Sequence, residues 1–489
     1  MAQDTRYHHP ADEGEVAALV KKAAAEGKAL RVRGAAHSVP LAISPGGGQG
    51  STDQVYELLL DRMIGVRFDD AQQRVSVQAG CHLGLDPKDP AGTSTLQNSL
   101  FDQLDRRAWA LSHTGGIIHQ SAGGFLSTGS SGGSLQHSIY DDVVALRLVD
   151  GTGAVHELRR DRDAEFFGAV ISMGLLGVVV DVTFQCRPRY HVRGQEVTTK
   201  IDKSEVDLLG TGTLERFLRE TEHTRLMWWP QKGVEKLQVW KAHNMKPADY
   251  DAETGTPDNF HARPYELVDE MLGSRWLPQW VVNKVFRFFG RLNPPPPANA
   301  FQRALDKMVA PLFAPVTNSF LKVNDQKPQR FWDLWWHALP MDNEASDDLI
   351  PTVFTEAWIP VERTHEVVRA LDEHYRRGGW NATGTYACEI YAAKKNELWL
   401  SPSYQKDMVR IDLFWFAKQE GQPERDYFPQ FWTLLDRFEP RYHWGKHLPE
   451  APAALRQRYP RWDDFLKLRA RLDPKGVFLT PYWRARLGI

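Results

Sequence analysis

Apolar positions along the chain follow two periods, and the change from one to the other marks its elements. After the polar Asp12-Glu13-Gly14-Glu15, the residues Val16, Ala17, Leu19, Val20, Ala23, Ala24 and Ala25 recur at helical spacing as far as Gly27. This predicts a helix with carboxylates in its first turn, where they complement the macrodipole, and a glycine stop. Ala29-Leu30-Arg31-Val32 predicts a short strand running into the small-residue turn Gly34-Ala35-Ala36-His37-Ser38. Arg74-Val75-Ser76-Val77-Gln78 alternates as a half-buried strand does and ends at Gly80. Val143-Val144-Ala145-Leu146-Arg147-Leu148-Val149 followed by Asp150-Gly151 reads as strand, turn and returning strand, and Gly174-Leu175-Leu176-Gly177 leads into a β-branched run over 178–184. In residues 276–292, Lys284, Arg287 and Arg291 stand at i, i+3 and i+7, with Val281, Val285, Phe288 and Leu292 on another face. That is an amphipathic basic helix, ended by Asn293 and Pro294-Pro295-Pro296-Pro297. It suits a peripheral membrane contact, a lid over an apolar channel, or a core-facing helix with solvated basic residues.

Residues 112–134 follow neither period. They are dense in glycine and serine, yet Ile117, Ile118, Phe125 and Leu126 distinguish them from a flexible linker. Glycine lets backbone approach a ligand closely, and successive N–H groups flanked by hydroxyls form a concavity suited to phosphate oxygens. The stretch therefore reads as a cradle for a phosphate-bearing cofactor or as two glycine-rich turns around a short strand.

Composition narrows the class. A chain of 489 residues is too long for one ordinary core, so two domains are expected. Charged residues at 25% and hydrophobic residues at 42% fit a soluble globular protein, and a formal net charge of −2 gives no electrostatic case for nucleic acid. Cys81, Cys186 and Cys388 lack CxxC spacing, so neither a disulfide framework nor a zinc site is expected from them. Histidine clusters such as His8-His9 show no metal-ligand spacing, and no metal is expected. No signal peptide is read in residues 1–15 and no window approaches a membrane span, which makes the cytoplasm the expected compartment.

Two loops carry a family resemblance. Arg31-Val32-Arg33-Gly34-Ala35-Ala36-His37-Ser38 resembles the pyrophosphate loop of the vanillyl-alcohol oxidase-like (PCMH-type) flavoproteins, and residues 121–132 resemble that family's second flavin loop. Residues 174–184 resemble its adenine-side segment, and Thr355-Glu356-Ala357-Trp358-Ile359-Pro360 a strand of its substrate domain. Near the C-terminus, Tyr442-His443-Trp444-Gly445-Lys446 resembles the HWGK signature of the aldonolactone and alditol oxidase branch, and residues 472–482 its closing segment. The resemblance implies an α+β fold: a two-part FAD-binding domain over 1–190 with a returning segment at 440–489, and between them, over 191–439, a substrate domain of largely antiparallel sheet flanked by helices. It implies FAD held by Arg33, Gly34, Ala35, Ala36, His37, Ser38, Ser121, Gly124, Ser127, Thr128, Gly129, Ser131, Gly132, Gly177, Val178, Val179 and Lys446, with a covalent link through His37.

Oxidation of an alcohol carbon sends hydride to the flavin while the hydroxyl loses a proton, so the site needs donors that fix the oxygen and a group that accepts or balances that proton. The resemblance gives Lys446, Glu389 and Tyr391 the catalytic positions and Ser121, Gln120, Asp412, Phe414 and His443 the substrate-facing ones. Lys446 would stabilise negative charge on alkoxide or reduced flavin. Three of these depart from the branch: Tyr391 stands where it has arginine, and Asp412 and Phe414 where alditol oxidases show histidine and threonine. Gln120 is bulky where the family controls oxygen access with a small residue. The expected activity is FAD-linked oxidation of a CH–OH group with reoxidation by O2, on an alcohol or lactone that is not a simple alditol. The alternatives are an aldonolactone or sugar dehydrogenase passing electrons to a quinone or cytochrome, and a flavin-binding protein without turnover.

Overall fold

The computed structural model describes residues 6–245, 314–315, 317–318, 321–343, 352–417 and 422–489, with the side chains of 378–382 set aside. The basic segment at 276–292 lies outside the described residues. Among those described, no helix is long and apolar enough to cross a membrane. The fold is α+β.

The first helix, Glu13–Glu26, is capped by the Asp12 carboxylate, which accepts from the Glu15 N–H, and stops at Gly27 with φ 67°. It buries Val16, Val20 and Ala23 beside β1 (Ala29–Val32), which pairs in parallel with β2 (Val55–Leu58). A five-stranded antiparallel sheet follows, in the order β3 (Val66–Asp69), β4 (Arg74–Gln78), β8 (Val178–Gln185), β6 (Val143–Val149), β7 (Val155–Arg159). β5 (Trp109–Ala110) pairs with β9 (Arg187–Pro188), after which the chain enters the second large sheet at β10 (His191–Lys200).

That sheet has eight strands. With β11 (His223–Trp229), β12 (Lys236–Met245), β13 (Gln329–Leu334), β14 (Thr352–Pro360), β15 (Ala387–Ala393), β16 (Met408–Phe416) and β17 (Arg441–Tyr442), its order is β13-β10-β12-β11-β15-β16-β14-β17, antiparallel throughout. The C-terminal segment thus adds the edge strand β17 before turning back toward the first loops.

Two buried side chains tie these returns together. The Arg31 guanidinium donates to the carbonyls of Ile43 (2.9 Å), Ala42 (3.1 Å), Met173 (2.8 Å), Gly174 (3.4 Å) and Phe478 (3.3 Å), so one residue of β1 satisfies three remote segments. Burial lowers its pKa to about 10, against the pull of Glu57. The Asp473 carboxylate accepts from the N–H groups of Val477 and Phe478 at 2.7 and 3.0 Å, shaping the closing segment that Arg31 holds. Cys81, Cys186 and Cys388 are free and buried.

Candidate active site

The 112–134 stretch is more ordered than a pair of glycine turns. Ser121 begins a short helix, Ala122–Ser127, in which Gly123 and Gly124 are tolerated because packing needs them small: a Cβ on Gly123 would lie 3.0 Å from the Ala79 Cβ. The helix brings Ser121 against the first loop, where a Cβ on Gly34 would stand 2.9 Å from the Ser121 Oγ. Ala36 takes φ 59°, a left-handed conformation that costs an alanine on the order of 1 kcal/mol.

Between these loops lies a cleft lined by residues of both loops, of the 173–179 segment and of the C-terminal return. Its wall includes Arg33, Gly34, Ala35, Ala36, His37 and Ser38 from the first loop, and Gln120, Ser121, Gly124, Ser127 and Thr128 from the second. Gly177, Val178, Val179, His443 and Lys446 complete the predicted set that the structure brings together there. Gly129, Ser131 and Gly132 stand off the wall: a Cβ on Gly132 would strike His113 at 2.0 Å, and the Ser131 carbonyl accepts from Arg410 at 2.6 Å. The cleft fits FAD, since its walls are glycine-rich backbone at close approach and a cation, Lys446, stands at one end. His37 is half-buried; burial first, then Lys446 and His119, push its pKa down to about 4, which leaves the imidazole neutral.

The 443–446 turn joins this cleft to the eight-stranded sheet. Its Gly445 carbonyl accepts from the Val39 N–H at 2.8 Å, and Lys446 Nζ donates to the His37 carbonyl at 3.0 Å. On the other side the His443 N–H donates to the Glu356 carbonyl at 3.3 Å, and Thr355 Oγ1 donates to the His447 carbonyl at 2.6 Å. His443 Nδ1 accepts from the Gly445 N–H at 3.0 Å, so Nε2 carries the proton toward Ser130 Oγ at 3.1 Å. Burial holds His443 at about 4, against the pull of Glu356. Trp444 is core, bonded through Nε1 to the Leu400 carbonyl.

Strand register builds a buried charged cluster beyond the 443–446 turn, and the predicted Glu389, Tyr391, Asp412 and Phe414 stand there and not on the lining of the cleft. Glu356, Asp412 and Glu389 stand in one row across β14, β16 and β15, and the next row is Trp358, Arg410, Tyr391 and Arg225. Side chains two apart on a strand share a face, so carboxylates and guanidiniums interleave. Arg410 pairs with Glu356 at 3.0 Å and Asp412 at 3.2 Å, and lies 4.6 Å from the Tyr391 ring centre. Arg225 pairs with Glu389 and, at 2.8 Å, with Asp342, which accepts from the Tyr391 hydroxyl at 2.9 Å. The arginine absent at 391 is therefore matched by one from each neighbouring strand. Phe414 and Phe354 pack at 5.1 Å in the row beyond, with Lys446 Nζ 4.3 Å from the Phe354 ring centre.

Charge here is shared unevenly. Burial, then the neighbouring Glu356, drives Asp412 well above the usual carboxylate range, and its Oδ1 has no hydrogen-bond partner. Burial and Asp342 raise Glu389 to about 7, against the opposing pull of Arg225. Burial also opposes ionisation of Glu356, yet Arg410, His443 and Lys446 hold it below its ordinary value. Glu356, Arg410, Arg225 and Asp342 are the residues that the sequence reading left unassigned. The alternation Arg410-x-Asp412-x-Phe414 was the available signal for the first arginine.

Known proteins resemble this chain. Residues 344–486 match the family model described as D-arabinono-1,4-lactone oxidase. L-gulonolactone oxidase of Mus musculus is 24% identical over 97% of this chain and 93% of its own, and L-gulono-1,4-lactone dehydrogenase of Mycobacterium tuberculosis 25% identical over 98% and 95%. Alditol oxidase of a Streptomyces species is 25% identical over 77% and 75%. Among solved structures, cholesterol oxidase from B. sterolicum superposes with a TM-score of 0.70 at 15% identity, covering 98% of this chain and 93% of that one, which is a likeness of fold. By full-length likeness and by its C-terminal match, the chain is an FAD-linked oxidoreductase similar to the aldonolactone oxidases.

Proposed function

We propose that the protein oxidises a CH–OH group on a substrate bulkier or less polar than a free alditol, with O2 as the final acceptor. The observation that carries this reading is the 443–446 turn, which bonds to the first flavin loop through Gly445 and Lys446 and to the carboxylate-bearing sheet through His443. Bound FAD supplies the two-electron acceptor for the hydride and its reoxidation by O2. The chain then needs to steady negative charge and take up the hydroxyl proton. Lys446, at the junction, stabilises the developing alkoxide. Of the row Glu356, Asp412 and Glu389, Glu389, near 7, is the member poised to take up the proton at neutral pH. Tyr391 and Asp342 hold Arg225 against Glu389. Asp412 orients the substrate hydroxyl through its unpartnered oxygen, and Ser121 and His443 line the cleft. Phe354 and Phe414 give the site an apolar shelf, on which a polyol hydroxyl would be stranded at a cost of roughly 1–3 kcal/mol.

The flavin part of this reading comprises residues 1–190 with 440–489, the substrate part 191–439, and the FAD is joined covalently to His37. A dehydrogenase reading has two supports: the bulky Gln120 lines the cleft, and a relative matched over nearly its whole length is named a dehydrogenase. Anaerobic flavin reduction by sorbitol, aldonolactones and aromatic or terpenoid alcohols tests the substrate class. We expect bleaching by the bulkier alcohols and slow reduction by sorbitol; sorbitol turnover with kcat/KM of at least about 10⁴ M⁻¹s⁻¹ would overturn it. Fast reoxidation by dyes and slow reoxidation by O2 would favour the dehydrogenase.

A further inference from the structure

Next to the 130–133 loop a second polar cluster is assembled from parts of the chain far apart in sequence. His137 follows that loop, while Glu222 and His223 stand at the start of β11. One donor atom from each of the three lies within 4.8 Å of the others. The loop is fixed there by Ser134, whose Oγ donates to the Glu222 carbonyl at 2.5 Å and accepts from the His137 N–H at 3.1 Å. The His137 and His223 rings stack at 5.3 Å. His137 Nε2–H donates to Glu222 Oε1 at 2.7 Å.

We propose that His137, Glu222 and His223 form a binding site for one divalent transition-metal ion, with zinc the best match. Two imidazoles and one carboxylate are a borderline-soft donor set that zinc takes with water in the fourth position. Bonds of about 2.0–2.2 Å bring tetrahedral donors to roughly 3.5 Å apart, so the cluster closes by about 1 Å. His137 and Glu222 are free to make that adjustment, because their side chains are 19% and 23% exposed. Binding displaces the Nε2 proton of His137 to solvent. An outer partner is also present: His113 Nδ1 accepts from the Thr114 N–H at 2.8 Å, so its Nε2–H donates to His223 Nδ1 at 3.2 Å. Without metal, His223 Nε2–H donates to Asn244 Oδ1 at 2.9 Å. Ligation through Nε2 exchanges that bond for one to the ion, the proton moving to Nδ1 as the bond to His113 reverses and the His113 proton passes to Nδ1 facing the Thr114 carbonyl at 2.7 Å, while the Asn244 backbone N–H holds Glu222 at 2.9 Å. Sequence spacing conceals the site because its ligands lie 85 residues apart.

The ion would staple the 130–137 loop to β11. Ser130 in this loop bonds His443 and the Ser131 carbonyl receives Arg410, so the site's effect on the flavin cleft is to steady it, with no part in the chemistry. The test uses the full-length, tag-free flavoprotein stripped by a chelator, with Co²⁺ as the spectroscopic probe and Zn²⁺ as competitor. One equivalent of Co²⁺ should develop ligand-field absorption that Zn²⁺ abolishes. His137→Ala and Glu222→Gln should each weaken binding by about 10- to 100-fold, while metal-free flavin reduction stays at the wild-type rate. Absence of saturable one-equivalent binding, or binding unchanged in both variants, would overturn the proposal and leave the cluster a hydrogen-bonded ion pair.

Discussion

The cleft and the charged sheet face beyond it are built from different material. The flavin side consists of backbone: glycine-lined loops whose contacts are set by the absence of side chains, as at Gly34 against Ser121 and Gly123 against Ala79. The substrate side consists of side chains on a rigid sheet, where Glu356, Asp412 and Glu389 are interleaved with Arg410 and Arg225. A backbone site is sensitive to what is added to it, and a charged sheet face to what is removed, because an ion buried without its partner carries its full desolvation penalty.

Removal should therefore act most strongly on the sheet. Arg410→Leu leaves Glu356 buried without its guanidinium and should cost about 3–5 kcal/mol in urea unfolding, much of it restored by adding Glu356→Leu. A loss under about 1 kcal/mol would mean that the network is not coupled as the geometry implies. At the junction, Lys446→Met and Glu389→Gln should keep their flavin and lose anaerobic reduction rate by on the order of 100-fold, or about 2.7 kcal/mol. Unchanged single-turnover rates in both would remove them from the chemical step.

The same contrast explains what could be read in the sequence. Gly34-Ala35-Ala36-His37-Ser38 and the residues after Ser121 are contiguous, and contiguous backbone chemistry is visible without knowing the fold. The helix Ala122–Ser127 was not visible, because two glycines argue against a helix unless something must pack close to them. The sheet face is different in kind. Glu356, Asp412 and Glu389 become neighbours only through the strand order β15-β16-β14, and Arg225 joins them because β11 lies beside β15. Alternation along each strand could show which side chains share a face but not which strands adjoin, so Tyr391 read as a lost arginine when the charge had been supplied from β16 and β11. His137, Glu222 and His223 escaped the search for metal-ligand spacing for the same reason.

A smaller effect sharpens the comparison through pH. A carboxyl whose folded pKa is raised stabilises the fold below its unfolded pKa, and that contribution is lost as pH rises through the folded value. Glu389, raised to about 7 from 4.5, should therefore make the protein less stable between about pH 4.5 and 7. Glu389→Gln should flatten that slope by on the order of 1–2 kcal/mol. An identical slope in the variant would assign the pH dependence to Asp412 alone.

The central claim is that the backbone-built cleft holds a flavin with His37 at its edge, and acid precipitation of the purified protein tests it most directly. The account predicts a yellow protein whose colour and flavin fluorescence remain in the pellet, with a colourless supernatant, and loss of the pellet's fluorescence in His37→Ala. A yellow supernatant would contradict the link to His37, and a protein that is colourless and stays so when mixed with FAD would contradict the cleft's assignment altogether.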